Sequence, residues 1–229
     1  PRGRFENNSP GNGRMAAEES LAAVKDAIGE AHLVFIVAGM GGGAGTGASP
    51  VIANAAREIG ALTMGVVAMP LRFEGKKRGE TAETGLAELR GHVDFLMIIH
   101  NERMYQAAPK QALLRAVFTK ANDIMGMAVR CISDALLCHG GIDIGFDDVV
   151  RLLRGASMAG MGTGSASGEN RARDAARQAL ARRLLEDAPL DEARAVMSTF
   201  TASPSMSRDE IFPLRATLLV SIPKEAVLT

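Results

Sequence analysis

The sequence predicts an α/β protein: a parallel sheet flanked by helices, then one long helix, then a smaller α+β unit. Three observations carry this. Leu33–Val37, Leu62–Met69 and Val93–Ile99 are continuous apolar runs, the pattern of strands buried on both faces. Helical periodicity stands between them, giving the strand–helix alternation of a parallel sheet. From about Gln111 to Cys138, Leu114, Val117, Ala121, Ile124, Ala128, Ile132 and Ala135 recur at helical spacing, and Gly140-Gly141 closes the run.

Taken in order, residues 1–14 are polar and rich in Gly and Asn and read as a loop. Leu21, Val24 and Ile28 form the apolar stripe of a helix from about Ala16 to Glu30. After the first strand, Pro50 opens a helix with Val51, Ile52, Ala55, Ala56 and Ile59 inward and Gly60 as its stop. Pro70 to Gly79 is a charged loop leading into a helix that carries Leu86 and Leu89. Beyond the long helix come a short one with Val149, Val150, Leu152 and Leu153, a Gly/Ser-rich loop from Gly160 to Gly168, and an Ala- and Arg-rich helix from about Glu169 to Glu186. Ala195–Phe200 and Thr217–Ile222 read as strands. The domain boundaries expected are 1–110, 111–139 for the long helix, and 140–229.

A chain of 229 residues is long enough for a real core. Lys and Arg number 26 against 26 Asp and Glu, so bulk nucleic-acid binding and attraction to an anionic membrane are not indicated. Cys131 and Cys138 on one helix lie roughly 10 Å apart, too far for a disulfide, which suits a reducing cytoplasm. No apolar run is long enough to span a bilayer and no signal peptide is visible. The start at Pro1 reads as a fragment or processed chain.

Between the first strand and Pro50 lies Gly39-Met40-Gly41-Gly42-Gly43-Ala44-Gly45-Thr46-Gly47-Ala48-Ser49, with six glycines. Glycines let backbone N–H groups close on a ligand, and the helix that follows offers partial positive charge at its N-terminus. The pairing suits phosphate oxygens. A flexible linker is the bland alternative, but linkers rarely join a buried strand to a capped helix. The common phosphate loop ends in Lys-Ser or Lys-Thr, and this loop has no Lys. A dinucleotide fingerprint fits only loosely, as Gly39-x-Gly41-x-x-Ala44 or Gly43-x-Gly45-x-x-Ala48, and the next strand ends in Met69-Pro70 instead of an acid. An NAD-dependent oxidoreductase rests on that fingerprint alone.

The run Gly41-Gly42-Gly43-Ala44-Gly45-Thr46-Gly47 resembles the signature loop of the tubulin/FtsZ family. Similar stretches recur in order along roughly Pro10 to Ile222: Phe73-Glu74-Gly75-x-x-Arg78, Ala121-Asn122-Asp123, Asp143 to Asp148, and Gly168-Glu169-Asn170-Arg171-Ala172. The resemblance implies a Rossmann-like GTP-binding half, a central helix and a smaller C-terminal half. It implies that GTP or GDP with Mg²⁺ is held by Gly41 to Gly47, with the Glu74 carboxylate on the ribose and Arg78 near the phosphates. A carboxylate accepts from vicinal hydroxyls and arginine pairs with phosphate in a fork, although a solvated charge cluster is the ordinary reading of that segment. Asn101 is implied at the guanine edge, and serves equally well as a plain helix N-cap. Phe118 stacking on the base beside Asn122, with Asp123 following, completes the implied set; alone, Phe118 reads as core.

In this family the segment after the long helix reaches the nucleotide of the next subunit, where acidic side chains orient the attacking water. Here Asp148 and Asp143 are the candidates, while Gly145 stands where an acid is expected and Ala44 where the loop has Thr. No side chains are expected as metal ligands. The function implied is a GTPase that assembles head to tail for septum formation at the division site of a bacterial cytoplasm. Homopolymer, co-polymer with an intact FtsZ, and contact with other division proteins are the partners implied. The alternative is a degenerate paralogue that builds or regulates filaments without turnover. The family's initial strand and first phosphate loop have no counterpart here, which predicts unpaired sheet edges and little turnover by this chain alone.

Overall fold

The computed structural model describes residues 9–138, 144–154, 160–181, 193, 195–220 and 227–228. The chain divides into two compact units, residues 1–129 with 153–157, and residues 130–152 with 158–229.

In the first unit, Ser9 caps a helix, α1 (Pro10–Glu19), by accepting from Asn12 N–H at 3.4 Å, with Pro10 in the first turn. The stretch expected to be loop up to residue 14 is therefore partly helix. Polar composition hid it, because α1 buries only Ala17. The helix expected over Ala16–Glu30 is also broken: Ser20 ends α1, and α2 spans Leu21–Ile28.

Three parallel strands follow, β1 (Leu33–Gly39), β2 (Leu62–Met69) and β3 (Phe95–His100), in the order β1-β2-β3. Every residue of β2 is buried, as its unbroken apolar run requires of a central strand with both faces covered. The register pairs Gly39 with Ala68 and Ala68 with Ile99, so all three strands finish at one level. Between them run α3 (Ser49–Ile59), α4 (Lys76–Arg90) and a short 3₁₀ turn (Arg72–Glu74). Ala53 of α3 and Ala82, Leu86 and Leu89 of α4 pack on Ile36, Val67, Met69, Leu96 and Ile98 to form the core on one sheet face. The outer edge of β1 pairs with no strand among the described residues, and Val37 there is 51% exposed.

After β3 come α5 (Asn101–Ala107) and α6 (Leu114–Leu137), whose buried stripe is Val117, Ala121, Ile124, Ala128 and Ile132. The long helix is thus present and its predicted inward face is buried from Val117 to Ile132, whereas Leu114, expected on that face, is 43% exposed in the first turn. Cys131 and Cys138 are free thiols.

In the second unit, α7 (Phe146–Leu153) precedes α8 (Arg171–Ala181), a two-residue parallel pair β4 (Ala195–Val196) with β5 (Val227–Leu228), and α9 (Arg208–Val220). The strand expected over Ala195–Phe200 shrinks to two residues. The strand expected over Thr217–Ile222 is overturned as far as Val220, since Thr217–Val220 closes α9; 221 and 222 lie outside the described residues. Local β propensity lost to a helix start: Glu210 accepts from Ser207 N–H at 2.7 Å, one half of a capping box.

Glu210 also takes the Arg171 fork, at 2.6 Å from Nε and 3.1 Å from Nη2, which fastens α9 to α8. The Arg171 bond, with Ser207 N–H, holds the Glu210 carboxyl down to about 2. A depressed carboxyl contributes stability that is fully present above its unfolded value and is lost as pH falls through its folded value. Nuclear magnetic resonance on acidification should therefore show the Glu210 carboxyl titrating at about 2, with its contribution to the packing of α8 on α9 lost progressively as pH falls from 4.5 to that value. Glu210→Gln should lack this acid step; a Glu210 carboxyl that titrates at 4.5 in the parent chain would contradict the assignment.

Candidate functional site

Parallel strands that end together gather their strand–helix loops at the sheet's carboxyl edge. The first loop is the glycine run. Met40 is buried beneath it, its N–H donating to Ala68 C=O at 2.8 Å. The chain then turns at Gly41, where φ of +94° favours a residue without Cβ. Gly41 N–H donates to Thr46 Oγ1 at 2.8 Å, and Thr46 N–H returns to Gly42 C=O at 3.3 Å. A π turn over Ala44–Ala48 runs directly into α3, with Ser49 Oγ donating to Gly45 C=O at 2.5 Å. The first N–H groups of such a helix lack intrahelical acceptors, and the dipole adds positive potential. Gly45 passes so close to the strand end that a Cβ would stand 2.0 Å from Gly39 O.

The second loop meets the first. Glu74 Oε1 accepts from Leu71 N–H at 2.7 Å, and Oε2 lies 2.8 Å from Arg78 Nε. The Arg78 stem lies against the glycine turn, since a Cβ on Gly41 would come within 2.7 Å of Arg78 Cγ. Thr46, Gly41, Arg78 and Glu74 are therefore linked by direct contacts. The guanidinium pairs with Glu74, whose carboxylate retains lone pairs for further donors.

At the end of β3, His100 holds the N-cap position of α5 without a side-chain capping bond. Asn101 is instead the first helical residue, so the plain capping role does not apply. The residue is 7% exposed, and its Oδ1 is buried with no hydrogen-bond partner. Leaving a buried acceptor unsatisfied costs about 1–3 kcal/mol. Two strand spacings separate it from the glycine loop, about 10 Å along the same edge. Arg72 N–H donates to Glu102 Oε2 at 3.1 Å, and Phe73 meets Tyr105 edge-on with ring centroids 6.0 Å apart, so the second and third loops are also joined.

The remaining predicted residues lie on other elements. On α6, Phe118 is half-buried beside the core stripe, while Asn122 and Asp123 are exposed. Asp148 belongs to the second unit, in the first turn of α7, with Arg151 Nη1 3.7 Å from its Oδ1. Gly145 C=O receives the N–H groups of Asp148 and Val149 at 3.1 and 3.2 Å and so starts that helix. Asp143 lies outside the described residues. Among the described residues no group of three His, Cys, Asp or Glu side chains is placed to hold a metal.

Sequence reasoning missed the loop's supports. A Cβ on Gly13 would stand 2.0 Å from Gly43 O, one on Gly47 1.9 Å from Pro10 O, and one on Gly85 2.1 Å from Thr46 Cγ2. Arg14 and Glu88 form an ion pair from α1 to α4. The available signal was glycine inside a helix, which costs about 1 kcal/mol and implies a close approach.

The profile of the Tubulin/FtsZ family, GTPase domain, matches residues 1–109, and that of the FtsZ family, C-terminal domain, matches residues 157–228. The cell division protein FtsZ of Pseudomonas aeruginosa is 45% identical over 202 residues, 88% of this chain and 51% of that protein. The structure of an empty FtsZ dimer from M. jannaschii is 32% identical with a TM-score of 0.85, covering 97% of this chain and 66% of that one. A point mutant of M. jannaschii FtsZ gives 33% identity and 0.86, covering 97% and 67%. The chain spans about half the length of the curated relatives it matches. With both profiles in the expected order and the glycine loop at the sheet's carboxyl edge, the chain belongs to the tubulin/FtsZ family.

Proposed function

We propose that this chain binds a guanine nucleotide, GTP or GDP, at the carboxyl edge of its sheet, and serves FtsZ-type head-to-tail assembly in bacterial cell division. The observation that carries the guanine reading is the unpartnered buried Oδ1 of Asn101 on the same edge as the glycine loop. A guanine edge presents N–H donors to such an acceptor, whereas the corresponding ring nitrogen of adenine has no hydrogen to donate. The loop N–H groups and Arg78 hold phosphate, Glu74 accepts from the ribose, and Phe118 with Asn122 and Asp123 approaches the base from α6. Mg²⁺ would supply charge that neutralises the phosphates; among the described residues no group of three His, Cys, Asp or Glu side chains is placed to hold it, so phosphate and water would be its ligands.

Residues 1–110 form the nucleotide part in this reading, 111–139 the connecting helix and 140–229 the part presented to the next copy. Asp148, assisted by Asp143, orients the attacking water across that contact. The partner is a second copy or an intact FtsZ, with division proteins around them at a cytoplasmic division site. Among the described residues no helix is long and apolar enough to cross a membrane.

Titration with fluorescent GTP and ATP, followed by phosphate release, tests the proposal. GTP should bind at least about tenfold more tightly than ATP, one hydrogen-bonded discrimination of about 1.4 kcal/mol. Asp148→Ala should remove turnover and leave binding intact. Equal affinity for ATP defeats the guanine reading, and turnover surviving in Asp148→Ala defeats the hydrolytic one. The non-hydrolysing paralogue is favoured by one observation: Gly145, where an acid is expected, has no side chain and only caps α7 through its carbonyl.

A further inference from the structure

Glycine within a helix needs a reason, and α1 and α4 each hold glycines of two kinds. A Cβ on Gly11 or Gly79 would meet nothing within 4 Å, whereas one on Gly13 or Gly85 would collide with the glycine loop itself. On the α1 side, Gly13 faces Gly43 O, with Gly43 C at 2.6 Å and Ala44 Cα at 3.2 Å from the imagined Cβ. These are backbone atoms, so the loop would have to move. One turn on, Gly47 seats against Pro10 O and Arg14 N.

On the α4 side, Gly85 admits the Thr46 methyl, with Met40 Cε 3.2 Å from the same imagined Cβ. Seating the methyl there fixes the Thr46 side chain, whose hydroxyl then receives Gly41 N–H at 2.8 Å. The contact with Gly85 thus sets the shape of the turn. Arg14 and Glu88 tie the two flanking helices to each other, and the pair raises the Arg14 guanidinium above its usual value.

We propose that α1 and α4 form a two-sided brace that aims the loop's backbone donors, with Gly13 and Gly85 as positioning residues for phosphate and Arg14–Glu88 as its tie. The phosphate assignment rests on the nucleotide reading above; the brace does not. A loop gripped on both sides keeps its N–H groups converged before ligand arrives, which lowers the ordering cost of binding.

Hydrogen exchange of the amides of residues 40–48 and affinities for GTP and for guanosine, measured on the full chain, test this. Gly13→Ala and Gly85→Ala should speed exchange of the loop about tenfold or more. They should weaken GTP about tenfold or more through misaligned charge-assisted bonds, leaving guanosine unchanged. Gly11→Ala should change none of these. Should the glycine variants fail to fold, Arg14→Glu should speed loop exchange, and Arg14→Glu combined with Glu88→Arg should restore it. Unchanged exchange in Gly13→Ala, or an equal loss for GTP and guanosine, overturns the brace. If the parent chain binds no guanine nucleotide, the phosphate assignment fails, and exchange alone decides the brace.

Discussion

Asn101→Leu should stabilise the protein and weaken its binding of guanine nucleotide in the same variant. The two effects share one cause. In the free protein, Asn101 Oδ1 is buried with nothing to accept from, at a cost of about 1–3 kcal/mol. Leucine has nearly the same shape and removes that cost. In a chain of this size each kcal/mol gained moves Tm by about 2–4 °C, so a rise of a few degrees is expected. The ligand's donor then loses its acceptor, and GTP affinity falls about tenfold or more, with the preference over ATP lost. An ordinary structural asparagine behaves in the opposite way. Thermal scans and nucleotide titrations of the parent and Asn101→Leu decide the matter: a lowered Tm with unchanged GTP affinity makes Asn101 a packing residue.

Leu89→Ala should give the largest loss of stability in the first unit, about 3 kcal/mol. Leu89 is 0% exposed, and only two of the buried residues that hold α4 to the sheet are large, Leu86 and Leu89. Its Cδ2 lies over Gly65, 3.6 Å from where a Cβ would stand, with Leu96 Cδ1 2.6 Å and Val93 Cγ1 3.7 Å from the same point. Truncation therefore opens a cavity that Gly65, without a side chain, cannot fill. The consequence reaches the site, because α4 carries both Arg78 and Gly85. Urea unfolding followed by fluorescence of Tyr105, the single tyrosine, should show a lower midpoint with an unchanged slope. GTP affinity should fall with it. A loss under 1 kcal/mol would mean that α4 is held by contacts other than this apolar face.

Several candidate site residues were legible without coordinates because their signals are local. A glycine run between an apolar strand and a proline-opened helix limits the backbone to few arrangements, and Phe73-Glu74-Gly75 followed by Arg78 places a carboxylate and a guanidinium one helical turn apart. Asn101 was ambiguous in sequence, since a cap and a ligand-facing amide look alike. Its burial and missing partner are tertiary facts. Gly13 was read only as part of a loop and Gly85 was passed over, because what excludes their Cβ atoms is the glycine loop, far away in sequence. Thr217–Val220 misled for the reverse reason: β-branched and leucine side chains suggested a strand, while the start of α9 at Arg208 had already set the helix.

The strands of the sheet, the long helix and the chemical character of the glycine loop were determined by the sequence alone. Each follows from apolar periodicity or backbone permissiveness, and both act between near neighbours along the chain. Tertiary structure decided the register that brings three strand ends level, the brace of α1 and α4 on the loop, and the isolation of Asn101 Oδ1. These depend on which distant backbones pack together, and close packing specifies that only once the chain has folded.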